Sequence, residues 1–160
     1  MNAEEHHLFL IWPRGRKHSD RILAAIAEDF TILRVTDLVW SRRHAFENLL
    51  RFYNNTPPII LWKAFRCGIT PVRMVVVRDA AARYETRRTT SGEKTVNTRM
   101  FDAKSRYRAL TGGGHLIHGT NSPEEFRHDH TLLTGQDWSE ASLCALPPWD
   151  RTTIEVLHQD

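Results

Sequence analysis

H115-L-I-H-G-T-N-S-P-E-E-F-R-H-D-H130 sets four histidines and three acidic groups around one strand-to-helix turn. Its second half carries a full helix-start signature. Ser122 stands at the cap, Pro123 at the first helical position and Glu125 three residues after the cap, where its carboxylate can return to the backbone. Phe126, Leu132 and Leu133 give that helix an apolar side, and Gly135 stops it. Its first half, H115-L-I-H118, follows Gly112-Gly-Gly114 and reads as a short strand. The stretch is thus a strand, a turn at Gly119 and a helix over 123–134.

The preceding elements fall into alternation with it. L8-F-L-I-W12, closed by Pro13 and Gly15, is a buried strand. Ser19 caps a helix over 20–28 bearing Ile22, Leu23 and Ile26. Residues 30–40 alternate apolar and polar as a second strand. A helix over 43–53 places Phe46, Leu49, Leu50 and Tyr53 on one stripe, and Asn54-Asn-Thr-Pro-Pro58 ends it. Ile59-Ile-Leu-Trp62 is ambiguous between a short strand and a buried turn. V72-R-M-V-V-V-R-D79, rich in β-branched residues, is a central strand. Residues 83–97 form a hairpin bent at Gly92. Thr98 caps a helix bearing Phe101, Tyr107 and Leu110, which ends at the triple glycine. From about 136 a tail holding Trp138 and Trp149 wraps the surface, with a strand at 152–157. The order predicts an α+β fold, a ferredoxin-like βαββαβ sandwich with an antiparallel or mixed sheet and helices packed on it. Residues 1–160 read as a single domain.

Composition narrows the class. An apolar fraction of 41% supports a real core. The net charge of +3 rests on a small arginine excess rather than a basic tail, which argues against nucleic acid and for local phosphate contacts. Cys67 and Cys144 form no CxxC pair, so a reducing cytoplasm is the expected compartment. Acids stand at the N-terminus where a signal peptide would place lysines. No run approaches the ~18 apolar residues of a membrane span.

Three chemistries compete for the histidines. A metal site needs converging ligands. His115 and His118, three apart on a strand, face opposite sides, and His128 and His130 diverge by about 200° on a helix. The four therefore do not make one metal site. A nucleophilic reading uses His118 alone. It stands at a strand end before a helix N-terminus, whose N–H groups and dipole attract phosphate. An imidazole there can take up a phosphoryl group if a carboxylate, Asp129 or Glu125, holds its other nitrogen. The third reading makes His118 a structural histidine beside a capping box and a solvated acidic face.

The segment H118-G-T-N-S-P-E-E with its acid at 129 resembles the active-site stretch of nucleoside diphosphate kinases, in which a histidine carries the phosphate through a ping-pong transfer. The resemblance implies that His118 is the nucleophile, that Asp129 orients it, and that Thr120 supports that carboxylate. L8-F-L-I-W-P-R-G15 and R51-F-Y53 are similar to the family's first strand and turn and to its nucleotide-side tyrosine. The family's phosphate-contacting Lys is Trp12 here, its Asp is Arg14, and its Asn is His115. The implied phosphate or nucleotide contacts are Arg14, Arg16, Tyr53, Arg88, Arg106, Arg108, His115, Gly119 and Thr120, with Mg2+ accompanying the nucleotide. Gly112-Gly-Gly114 either lets backbone approach a phosphate or ends a helix. The expected activity is a diverged nucleotide-dependent phosphotransferase, and the resemblance allows a homo-oligomer. A non-catalytic module that binds a nucleotide or a phosphorylated small molecule, and an RNA-binding or RNA-cleaving protein, are the alternatives.

Overall fold

The computed structural model describes residues 4–53, 57–136 and 139–159. Asn54–Thr56, assigned above to the end of a helix, and Trp138 lie outside the described residues. The elements in order are β1 (Glu5–Ile11), a 3-10 turn (Pro13–His18), α1 (Ser19–Asp29), β2 (Thr31–Trp40), α2 (Arg42–Tyr53), α3 (Pro57–Cys67), β3 (Val72–Asp79), β4 (Tyr84–Thr89), β5 (Gly92–Asn97), α4 (Thr98–Ala109), β6 (Ile117–Gly119), α5 (Pro123–Thr134), α6 (Glu140–Cys144) and β7 (Glu155–Gln159).

The main sheet has the order β6-β1-β3-β2-β7. The first four strands pair antiparallel, which is the predicted ferredoxin-like arrangement, and β7 adds parallel to β2. β1 and β3 are central, and nearly every residue of both is buried. Alternate residues of β1 feed two cores. Leu8, Leu10 and Trp12 face α2, α3, α5 and α6. Phe9 and Ile11 face α1 and α4. Helices on both faces explain why the strand sequences are apolar at successive positions.

Several elements differ from the sequence reading. Ile59–Trp62 is neither strand nor turn but part of α3. α2 ends at Tyr53 as expected, and Pro57-Pro58 opens a further helix, where a missing N–H costs no hydrogen bond. Ile60, Ala64 and Cys67 turn inward, while Ile59, Leu61, Trp62 and Phe65 are exposed. Ser19 is the first residue of α1 rather than its cap, because its Oγ accepts from Arg73 Nη1 at 2.7 Å. Asn97, not Thr98, caps α4: its side chain accepts from the N–H groups of Arg99 and Met100. The strand expected at 115–118 begins at Ile117, since Gly112, Gly113 and Gly114 all hold φ near +85° (84°, 90°, 82°) and carry His115 and Leu116 in a bend. The tail does more than wrap. Leu143 of α6 enters the core, and the Trp149 N–H donates to Ile32 O at 2.7 Å.

β6 is only three residues long, and its hold on β1 rests on close approach. Gly119 lies opposite Phe9 in the register. A Cβ at Gly119 would lie 2.9 Å from two carbons of the fully buried Phe9 ring. The glycine is therefore dictated by packing. Gly119→Ala is expected to destabilise the fold by about 1–3 kcal/mol, measured as a lower urea midpoint with an unchanged m-value.

Candidate functional site

β6 and α5 place the central pair. Leu10 lies opposite His118, so the imidazole faces the same side of the sheet as Leu10, toward α2 and α5. Ser122 caps α5 by accepting from Glu125 N, and Asn121 N donates to Glu125 Oε2 at 2.8 Å. Asp129 then falls one turn deeper and is buried. Its Oδ2 lies 3.0 Å from His118 Nε2, and its Oδ1 lies 3.0 Å from His128 Nδ1. A carboxylate only accepts, so Nε2 of His118 carries the hydrogen and Nδ1 keeps its lone pair. No hydrogen bond engages that Nδ1 among the described residues. Glu125 Oε1 lies 3.8 Å from Nε2. The Phe52 ring meets the imidazole edge-on at 5.1 Å, so the ring is fixed from two sides.

Between the end of α3 and the triple-glycine bend is a cleft of about 400 Å3 lined by Trp62, Arg66, Cys67, Gly113, Gly114, His115 and Leu116. Its surroundings are cationic. Arg108 donates from Nε to Ile117 O at 2.9 Å. Lys63 Nζ sits 3.6 Å from the Tyr53 ring centroid, Arg66 lies over Trp62, and Arg14 lies over Phe65. None of these four cations has a carboxylate partner among the described residues. Burial, reinforced by Arg108, lowers the pKa of Lys63. Burial, then Arg108 and Lys63, lowers that of His115. Burial also pulls Arg108 below its ordinary value, though guanidinium stays charged. Burial raises the Cys67 thiol against four nearby cations, and its S–H donates to His115 O at 3.5 Å. The Tyr53 phenol joins the two regions. Burial raises its pKa well above the usual range, with the charges of Cys67, Arg108 and Asp129 as lesser influences, and its ring packs edge-on against Phe52, which in turn meets His118.

The structure thus gathers His118, Asp129, Tyr53, His115, Arg108 and Arg14. It takes the remaining expected contacts elsewhere. Arg16 donates to Asp37 Oδ2 at 2.7 Å, inside a buried network in which Arg73 grips both oxygens of the same carboxylate. Arg106 is exposed and donates to Asp29 on α1. Arg88 is exposed on the β4–β5 hairpin opposite Glu93. The Thr120 hydroxyl supports no carboxylate: it meets His7 Nδ1 at 3.1 Å and accepts from Leu8 N at 3.2 Å. The peptide of Gly119 is turned inward, its carbonyl accepting from Lys104 at 3.4 Å. Lys63 and Arg66 escaped the sequence reading because α3 did. The inward spacing of Ile60, Ala64 and Cys67 would have shown a helix, and with it the position of both cations.

No protein-family model and no curated protein matches the sequence. The structure is similar to a crystal structure of the nucleoside diphosphate kinase of Aquifex aeolicus, with a TM-score of 0.54 and 18% sequence identity over 88% of this chain and 99% of that one. The chain has the nucleoside diphosphate kinase fold. A nucleoside diphosphate kinase family protein from Babesia bovis also aligns, with a TM-score of 0.49 and 11% identity over 92% of this chain and 95% of that one. Within this fold the position where the resemblance places a lysine is filled by Trp12, which is 1% exposed and packs edge-on against Trp40 and Phe52 and tilted against Tyr53.

Lys104 provides a test of the local electrostatics. It is 9% exposed, and its Nζ donates to Gly119 O and to Asn121 Oδ1. Burial first, then Arg108, against an opposing pull from Glu125, lowers its pKa to about 8 from 10.5. Between those values the unfolded chain holds a proton that the native state has lost. Native stability therefore rises with pH through that window, and the gain disappears as pH falls through about 8. Across it, the unfolding free energy of the wild type is expected to rise by on the order of 2–3 kcal/mol more than that of Lys104→Met, read from urea titrations at successive pH values.

Proposed function

We propose that this chain is a diverged phosphotransferase that passes a phosphoryl group from a nucleotide to an acceptor through His118. The observation that carries the reading is the His118 Nε2–Asp129 Oδ2 contact of 3.0 Å, which fixes the tautomer that leaves Nδ1 nucleophilic. The Nδ1 lone pair attacks the terminal phosphorus, and the P–N bond forms as the bond to the leaving phosphate oxygen breaks. Asp129 keeps the Nε2 hydrogen throughout and stabilises the charge that spreads over the ring. An oxygen of the acceptor then attacks the same phosphorus, and the P–N bond breaks. Arg108 and Lys63, with Arg66 and Arg14 nearer the rim, supply the positive field that such charge requires. Trp62 offers an exposed face on which a base can stack.

The acids beside His118 fit Mg2+ only as an ion carried chiefly on phosphate oxygens. Asp129 spends both oxygens on His118 and His128, which leaves Glu125, with Oε1 facing the ring, as the residue that would hold the ion. Bound with the nucleotide, Mg2+ would neutralise phosphate charge. The buried Trp12 favours a second reading, a module that binds a nucleotide or phosphorylated small molecule without transfer, since no cation stands at that point of the turn.

Incubation with terminally radiolabelled nucleoside triphosphate and Mg2+ is expected to leave an acid-labile, alkali-stable label on the protein. His118→Asn should abolish it. Asp129→Asn should slow its appearance by about 100-fold or more, because the amide can stabilise the wrong tautomer. Arg108→Met should slow it by about 100-fold. A rise in Tm with nucleotide and no label in the wild type would replace transfer with binding.

A further inference from the structure

A second group of chemically active side chains lies away from the His118 site, where the N-terminal strand meets the C-terminal tail. Glu4, His6 and Cys144 each bring one ligand atom to within 4.8 Å of the others. They come from distant parts of the sequence. His6 is on β1, with its side chain buried beneath α6, and Glu4 immediately precedes that strand. Cys144 ends α6, whose Leu143 is anchored in the core. Glu140 lies one turn before Cys144, and residues four apart share a helix face. Its charge acts on the His6 ring alongside that of Glu4. Arg78, opposite His6 on β3, faces the same group and touches Glu4 at 3.8 Å, beyond hydrogen-bond distance.

We propose that Glu4, His6 and Cys144 form a site for a divalent transition metal, Zn2+ by its chemistry, with Glu140 in reach as a fourth ligand. One sulfur, one imidazole nitrogen and carboxylate oxygen make a mixed set that suits a borderline-soft ion and not Mg2+ or Ca2+. Ligand atoms of a tetrahedral zinc centre lie roughly 3.3–3.9 Å apart. The present spacing closes to that with side-chain movement of about 1 Å, which the exposed Glu4 and Cys144 permit. The thiol loses its proton on binding. The metal would bind β1 to α6, a cross-link between the N-terminal strand and the tail that follows α5.

The metal alone is a sufficient probe, with Co2+ in place of Zn2+ for its spectrum. Titration of the reduced full chain with Co2+ is expected to give thiolate-to-cobalt charge-transfer absorption and the visible bands of a tetrahedral centre, saturating at one equivalent. Cys144→Ser should remove the charge-transfer band, and Glu140→Gln should weaken affinity several-fold. Cys67→Ser should leave the spectrum intact. Zn2+ should raise the Tm of the wild type by several degrees and that of Cys144→Ser by none. The His118, Glu125 and Asp129 group contains no sulfur, so metal bound there gives no such band. Absence of a charge-transfer band, or a band that survives Cys144→Ser, would overturn the proposal.

Discussion

Three residue pairs tie β6 to β1: Phe9 with Gly119, Leu10 with His118, and Ile11 with Ile117. On this short ladder the arrangement of the site depends. A strand has a period of two, so a slip by one residue would turn His118 into the core of α1 and α4 and bring a neighbour to its place. Only glycine at 119 lets the β6 backbone come close enough to the Phe9 ring, which fixes the register. With the register fixed, the Ser122 cap starts α5 at a set distance, and the helical rise brings Asp129 beside the imidazole. The 3.0 Å contact is a consequence of strand pairing and capping together.

Charge is sorted by the same framework. On the α1 side, acids absorb the cations: Asp37 takes Arg16 and Arg73, Asp29 takes Arg106, and Asp79 takes Arg99. On the cleft side, Arg108, Lys63, Arg66 and Arg14 have no carboxylate partner among the described residues. Burial disfavours a charged cation, and it is the main cause of the downward pull on Lys63, His115 and Arg108, to which neighbouring cations add at Lys63 and His115. An anion in the cleft would relieve it. A positive field without compensating acid is therefore the second feature, after the oriented imidazole, that suits a phosphate ligand.

Trp12 anchors an aromatic cluster beside this field. Its ring fills the space between Trp40, Phe52 and Tyr53 with edge-on and tilted contacts. The same aromatic group packs Phe52 against His118. A wall of rings braces the imidazole, while the cations come from the first turn (Arg14), α3 (Lys63, Arg66) and the end of α4 (Arg108).

The strand–turn–helix of 115–134 was legible residue by residue, because caps, prolines and glycines act locally. Ser122, Pro123 and Gly135 do in the structure what their chemistry allows in any chain. The ferredoxin-like class followed from the order of elements, and the choice of Asp129 over Glu125 as partner of His118 from family likeness. What the sequence left open was partner choice. Arg16, Arg106 and Arg108 are equivalent as residues, yet Asp37 and Asp29 claim the first two and the third bonds the Ile117 carbonyl next to His118. Thr120 and Gly119 were equally undecided until His7 and Phe9 came against them from a strand more than a hundred residues away. A cap is set within four residues of chain, whereas a charge or hydroxyl is assigned by whichever distant group folding brings within 3 Å, and that is a property of packing alone.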